Sequence, residues 1–431
     1  MENSKNQSLS NLIIFLMYII YFGIWSICII IKSIVPAISV PAYCLYLSLI
    51  VLYIIFLLYK LAIMQSKIII DKYTFIVLFL LFLIIAKQIL GYMEYKQMNF
   101  FNDDNILKFI IVNSIDVFML FAIGKNFCLP INEGHTGVKK NSFIVYFIYS
   151  IIIYYIDFKY HINTNGNGVF ISFYINGFVD IENEVNYLAI GDNFAILSFL
   201  VFNNVTGNKK KILIAINSML VLYLIGSRTS LIVFGLCILF YSTVNLLKTQ
   251  STCKNLAIIF LTMNVLIAAL LMLLTISKNN FINLNDNRMF SLLTNNREND
   301  YSYQARKKIF EIGIEQIKQN WFRGQVFIEY QNGVGSYIHN IMSYWQEYGI
   351  VTFIILLFLC IKILTKNILD YCKVNNKKNE FLAMNSIYII LCVFISRAYV
   401  NPLIWFALAL NIKKLKGTKG LLTNNKMIKR Y

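Results

Sequence analysis

The sequence predicts an all-α, polytopic membrane protein with one large loop outside the membrane. Of its 431 residues, 58% are hydrophobic and only 14% are charged, against roughly 25% charge in an ordinary soluble domain. The apolar residues come in runs of about 20, the length of a helix that crosses ~30 Å of hydrocarbon. A soluble chain of this size would still need a polar surface, so one buried core does not account for such runs.

About twelve spans are expected, near residues 12–31, 43–63, 73–91, 107–124, 142–157, 185–205, 212–226, 229–247, 256–276, 348–365, 382–396 and 400–412. The chain then divides into 1–276 with spans one to nine, a loop at 277–347, spans ten to twelve at 348–412, and a basic tail at 413–431. The first run is too long for a signal-peptide core and has no convincing cleavage site, so it reads as a retained helix.

A net charge of +18 would suggest nucleic acid if the protein were soluble. Here the lysines sit in short gaps between apolar runs, and the gaps alternate in sign. One set carries Lys60, Lys67 and Lys72, then Lys125, Lys139 and Lys140, then Lys209, Lys210 and Lys211. The other set holds Glu94, Asp103 and Asp104, or Asp180, Glu182 and Glu184. The positive-inside rule puts the lysine gaps and both termini in the cytoplasm. No nucleic-acid partner is expected. The eight cysteines lie in apolar runs or lysine gaps, with no disulfide framework or zinc spacing.

The loop of about 70 residues is long enough to imply a role. Within it, Phe310, Ile314, Ile317 and Trp321 recur at helical spacing, with Lys307, Lys308, Glu311, Glu315 and Lys318 around them. Gly324 follows as a stop. Such a helix either lies along the outer membrane–water boundary or packs into a small cap.

Of seven arginines, six fall on the outer side: Arg228, Arg288, Arg297, Arg306, Arg323 and Arg397. Long loops are partly exempt from the charge rule, but Arg228 ("IGSRTSL") and Arg397 ("ISRAYVNP") sit in very short turns. A cation held near the membrane core usually faces a cavity and carries function. The guanidinium fork also matches phosphate oxygens. Snorkelling or pairing with a carboxylate is the alternative. The ligand implied is a multiply charged phosphate at the membrane's outer surface, such as a lipid-linked pyrophosphate.

The stretch "GSYIHNIMSYWQEYGI" enters the tenth span from this side. If residues 337–350 form a helix, His339, Ser343, Gln346 and Glu347 share one face as a polar stripe. His339 then serves as proton acceptor or hydrogen-bond donor. Two charges inside the spans, Lys87 and Asp116, read as a structural ion pair between neighbouring helices, with a proton relay as the alternative.

With these residues the chain resembles the O-antigen polymerase and ligase superfamily, the Wzy-type polymerases and WaaL-type ligases. "GSRTSL" is similar to the family's arginine turn, and "NRMFSLLTNNRENDYSYQARKKIFEIGIEQIKQNWFRGQ" to its outer loop, with Arg288 and Arg306. "SYIHNIMSYWQEYGI" is similar to its His-Asn segment and carries over His339, Asn340, Glu347 and Gly349; "GDNFAIL" resembles the segment of an earlier family asparagine, here Asn193, without the arginine-glycine signal before it. The family's proline before the loop glycine is absent, and Thr352 stands where a second glycine is usual. The resemblance implies a GT-C-like glycosyltransferase that moves glycan from undecaprenyl-pyrophosphate to an acceptor hydroxyl at the outer face, building O-antigen or capsule. It implies Arg228, Arg306 and His339 as catalytic, with Arg288, Asn340 and Glu347 binding substrate; Arg397, from its own short outer turn, is expected to bind substrate beside them. No metal or cofactor is expected; membrane lipid, a flippase and a chain-length regulator are the expected partners. A ligase of the same superfamily, or a flippase for lipid-linked oligosaccharide, are the competing readings.

Overall fold

The computed structural model describes residues 2–34, 39–62, 71–97, 103–127, 136–160, 186–248, 301–328, 336–374 and 376–415. The expected ninth span and Arg288 and Arg297 lie outside the described residues. Every regular element among the described residues is a helix. It runs α1 (Glu2–Ile19), a π-helical turn (Ile20–Trp25), α2 (Ser26–Ile34), α3 (Ser39–Ala62), α4 (Lys72–Gln97), α5 (Asp103–Asn126) and α6 (Thr136–Tyr160). It continues with α7 (Tyr187–Asn204), α8 (Asn208–Ile225), α9 (Arg228–Lys248), α10 (Tyr301–Gln319), α11 (Ser343–Lys373), α12 (Lys377–Ile395) and α13 (Leu403–Leu415).

Seven described helices are long and apolar enough to cross a membrane, which makes this a multi-pass membrane protein by helix length and hydropathy. That is fewer than the twelve crossings expected. The other described runs fall on α3, α7, α8 and α13. Their apolar stretches are shorter, as in Cys44–Tyr59 and Leu403–Ile412, or are diluted by Asp192 and Asn193 on α7 and by Lys209, Lys210 and Lys211 on α8.

The core is apolar, but the outer surface is unlike that of a soluble fold. Large apolar side chains such as Phe82, Phe158 and Leu213 stand exposed on the helical surface, as hydrocarbon solvent permits. Polar groups meet inside: Asn217 donates to the Tyr146 hydroxyl at 2.8 Å and to Ser150 at 3.1 Å, joining α8 to α6. Helix α7 is buried on every face from Ile190 to Asn203, and α12 is the most enclosed of the seven crossing candidates at 72%. These two form the middle of the bundle.

Charge is sorted by end. At one end, Lys211 pairs with Glu380 and Lys414 with Asp370. At the other stand the pairs Arg397–Asp192 and Arg323–Glu94. The Lys211 and Lys414 pairs thus stand at the opposite end from Arg397 and Arg323, although Lys87 and Lys318 share the arginine end.

The expected Lys87–Asp116 pair does not form. Lys87 donates to the backbone carbonyls of Arg323, at 2.7 Å, and Tyr348. Asp116 accepts from the Tyr46 hydroxyl at 3.0 Å. Both charges find partners on elements distant in sequence, which helix adjacency alone did not foretell.

Candidate functional site

The arginine-bearing end is organised around one buried ion pair. The helix α8 stops at Gly226, which adopts φ 81° and ψ 12° as a left-handed cap, a conformation that suits glycine. The turn at Gly226 and Ser227 then leads into α9, whose first residue is Arg228. Gly191 lets this turn approach, since a Cβ there would stand 2.9 Å from Ser227 Cβ. One residue further on α7 is Asp192, 1% exposed.

Arg397, 3% exposed, grips Asp192 with two nitrogens. Its Nε donates to Oδ2 at 2.7 Å and its Nη2 to Oδ1 at 2.9 Å. Oδ1 also accepts from Ser230 Oγ at 2.8 Å and from the Tyr388 hydroxyl at 2.7 Å. Asn401 Nδ2 reaches Oδ2 at 3.4 Å. Arg397 Nη2 donates to Ser230 Oγ at 3.0 Å, and Nη1 to Ser396 Oγ at 2.7 Å. Ser396 in turn donates to Thr229 Oγ1 at 2.8 Å. Burial on its own would lower the arginine pKa, and the adjoining Asp192 carboxylate more than offsets it, so Arg397 is held charged above its ordinary value. A buried pair survives only with such complete hydrogen bonding.

The segment 336–342 packs on the same turn. Tyr399 donates its backbone N–H to Ser343 Oγ at 2.8 Å. The Tyr337 ring bridges His339, at 5.1 Å between centroids, and Tyr399, at 5.3 Å. His339 thus stands beside the turn that carries Arg397, and that turn is bonded to the one carrying Arg228. Both of these predicted catalytic residues are partly buried.

His339 is not on a helix, however. Helix α11 begins only at Ser343, because Asn340 closes a turn: its Oδ1 accepts from Met342 N at 2.8 Å, and its carbonyl from Ser343 N at 3.0 Å. The expected polar stripe therefore shrinks to Ser343, Gln346 and Glu347, and each of these braces backbone. Ser343 holds Tyr399. Gln346 accepts from Ile338 N at 2.8 Å and donates to Gln316 Oε1 at 2.6 Å. Glu347, fully buried, takes the Phe327 N–H on Oε2 at 2.7 Å.

Those contacts fasten α10 and its following loop to α11. Gly313 faces Ile338 so closely that a Cβ would collide with its side chain, and Ile317 is buried. Phe310 and Trp321, expected on the same apolar face as Ile317, are exposed together with Phe322. Helix α10 therefore packs into a cap along a Gly313–Ile317 face and leaves Phe310 on its surface, with Trp321 and Phe322 exposed in the loop after it. Arg306, in its second turn, is exposed.

Read alone, the sequence favours Asn193 over its neighbour Asp192. Asn193 instead donates to Ser26 Oγ at 2.9 Å, just past the π-helical turn. The missed signal was a carboxylate within an apolar run, matched by an arginine in a turn too short to solvate it. Close by, Gln88, Asn113, Ser114 and Tyr344 help to line a cavity of about 10 Å³, room for one water and not for a sugar. Compared with protein-family models the chain matches none, and no curated protein is significantly similar to it.

Proposed function

We propose that the protein is a GT-C-like membrane glycosyltransferase that polymerises polysaccharide repeat units, O-antigen or capsule, from an undecaprenyl-pyrophosphate carrier at the outer face of the cytoplasmic membrane. The observation that carries the reading is the convergence at one end of the bundle: the Arg228 turn, the Arg397 turn and the His339 segment are hydrogen-bonded or packed together although they lie 58 to 169 residues apart in sequence. Departure of a pyrophosphate concentrates negative charge, and preorganised guanidinium groups stabilise charge that develops at that moment. Arg228 and Arg306 take the pyrophosphate in this reading, with Arg288 assisting. His339 orients or deprotonates the acceptor hydroxyl, and Asn340 shapes the turn that presents it.

The lysine end faces the cytoplasm in this reading, which leaves the arginine end toward the carrier's glycan. A ligase of the same superfamily would use the same turns, and a flippase would need a site nearer the middle of the bundle. The test is the length distribution of lipid-linked and surface glycan in cells with wild type, Arg306→Ala, His339→Ala or a gene deletion, at matched membrane levels. Single repeat units that still reach the surface support the polymerase. Long polymer left on its carrier identifies a ligase, and units that never reach the surface identify a flippase.

A further inference from the structure

We infer that Asp192 and Arg397 are positioning residues: the pair locks the turn that presents Arg228, and the Arg397 guanidinium is not available to substrate. The inference rests on the polymerase reading and removes one of its candidate phosphate ligands.

Geometry supports both halves. Each of the three guanidinium nitrogens already has an acceptor: Nε and Nη2 on Asp192, Nη2 also on Ser230, and Nη1 on Ser396. The side chain is 3% exposed, which leaves no face for a bulky pyrophosphate. Meanwhile the residues on both sides of Arg228 belong to the same network. Ser227 and Ser230 are 2.6 Å apart and Ser230 donates to Asp192. Thr229 accepts from Ser396, which itself accepts from Arg397. The backbone bond from Leu231 N to Ser227 O, at 3.0 Å, starts α9 from within this cluster. The pair thus ties α7, α9, the end of α12 and the 396–401 turn together on both sides of Arg228.

A neutral replacement separates positioning from binding. Removing one partner leaves a buried charge alone, whereas removing both leaves amides that still hydrogen-bond. In Arg397→Gln or Asp192→Asn alone, polymer formation falls by about tenfold or more. In the Asp192→Asn/Arg397→Gln double variant it returns to within about threefold of wild type. A second measurement reads the turn directly. Trypsin added to purified protein in detergent cuts the Arg228–Thr229 bond in either single variant, with other sites unchanged, and spares it in wild type and in the double variant.

A double variant that keeps the turn protected yet is as inactive as Arg397→Gln overturns the inference, because the guanidinium then serves substrate. Single variants that resist trypsin at Arg228 overturn it too, because the pair then does not hold the turn. If gene deletion leaves the glycan unchanged, the polymerase reading falls separately, and the cleavage pattern alone decides the positioning role.

Discussion

Gly324 and Gly349 meet backbone to backbone, and both adopt positive φ, 73° and 76°. A Cβ on Gly324 would stand 2.6 Å from the Glu347 carbonyl oxygen, and one on Gly349 would overlap the Phe322 carbonyl oxygen. The contact breaks α11 at Gly349, with ψ 175°. The freed groups are taken up across the loop: Ile350 N donates to Trp321 O at 3.1 Å, and Gln325 N to Gln346 O at 2.8 Å. Lys87 closes the junction from α4 by donating to the Arg323 and Tyr348 carbonyls. The loop after α10 is thereby seated against the segment that leads from His339 into the membrane.

Gly349→Ala should therefore destabilise strongly. Positive φ combined with ψ 175° is a region essentially reserved for glycine, costing an L-residue about 1–3 kcal/mol, and a backbone clash that no rotamer relieves adds to it. We expect a loss above ~3 kcal/mol in mixed-micelle unfolding. Gly235→Ala in α9 is the control. Its Cβ would meet only the flexible end of Met219, at 3.6 Å, and a helix-interior glycine replaced by alanine gains about 0.5–1 kcal/mol. Equal effects at the two positions would refute the close approach.

Glu347 distinguishes a brace from a proton relay. Its Oε2 holds the N–H of Phe327, a residue at φ 63° and fully buried. Glu347→Gln keeps a carbonyl oxygen for that bond and should leave stability within ~1 kcal/mol, with polymer formation close to wild type. Glu347→Ala strands the buried donor and should cost about 1–3 kcal/mol. If the glutamine variant is as inactive as the alanine variant while folding normally, the carboxylate's charge is part of the chemistry.

Lys87 and Asp116 give a coupling test. Bonded to different partners, they should show additive effects on unfolding, with Lys87→Met and Asp116→Asn summing within about 0.5 kcal/mol in the double variant. Asp116→Asn and Tyr46→Phe share a hydrogen bond at 3.0 Å, so they should couple by about 0.5 kcal/mol or more. The opposite pattern would restore the ion pair.

Hydropathy located the helices well because lipid demands a continuous apolar run, and that demand is local in sequence. Each expected span among the described residues coincides with a helix. What lay beyond local reading was pairing. Nothing within ten residues of Asp192 announces Arg397, 205 positions later, and the two glycines of the α11 break read as separate signals, a helix stop and a motif residue. The polar stripe misled for a different reason. Helical periodicity extended through Asn340, whose side chain instead competes for backbone and closes a turn. Of the candidate site, the arginine turns and the His339 segment were visible as residues, and their assembly around Asp192 was not.

The opposite end of the bundle offers a pair of the same kind without a proposed role in chemistry. Lys211 Nζ lies 2.6 Å from Glu380 Oε1, with side chains 11% and 6% exposed. It also donates to the Tyr241 hydroxyl at 2.8 Å and sits 4.8 Å from the Phe202 ring centroid, so the ammonium is enclosed by an anion and two aromatic faces. Removing the anion alone leaves that cation buried, and Glu380→Ala should cost about 3–5 kcal/mol. Lys211→Met with Glu380→Leu should recover most of it, because apolar groups of similar volume need no counter-charge there. Glycan length in cells carrying the double variant should match wild type, since the pair lies at the far end from Arg228 and His339. Shortened glycan with normal unfolding would mean that the lysine end also governs the reaction, and chemistry could no longer be confined to the arginine end.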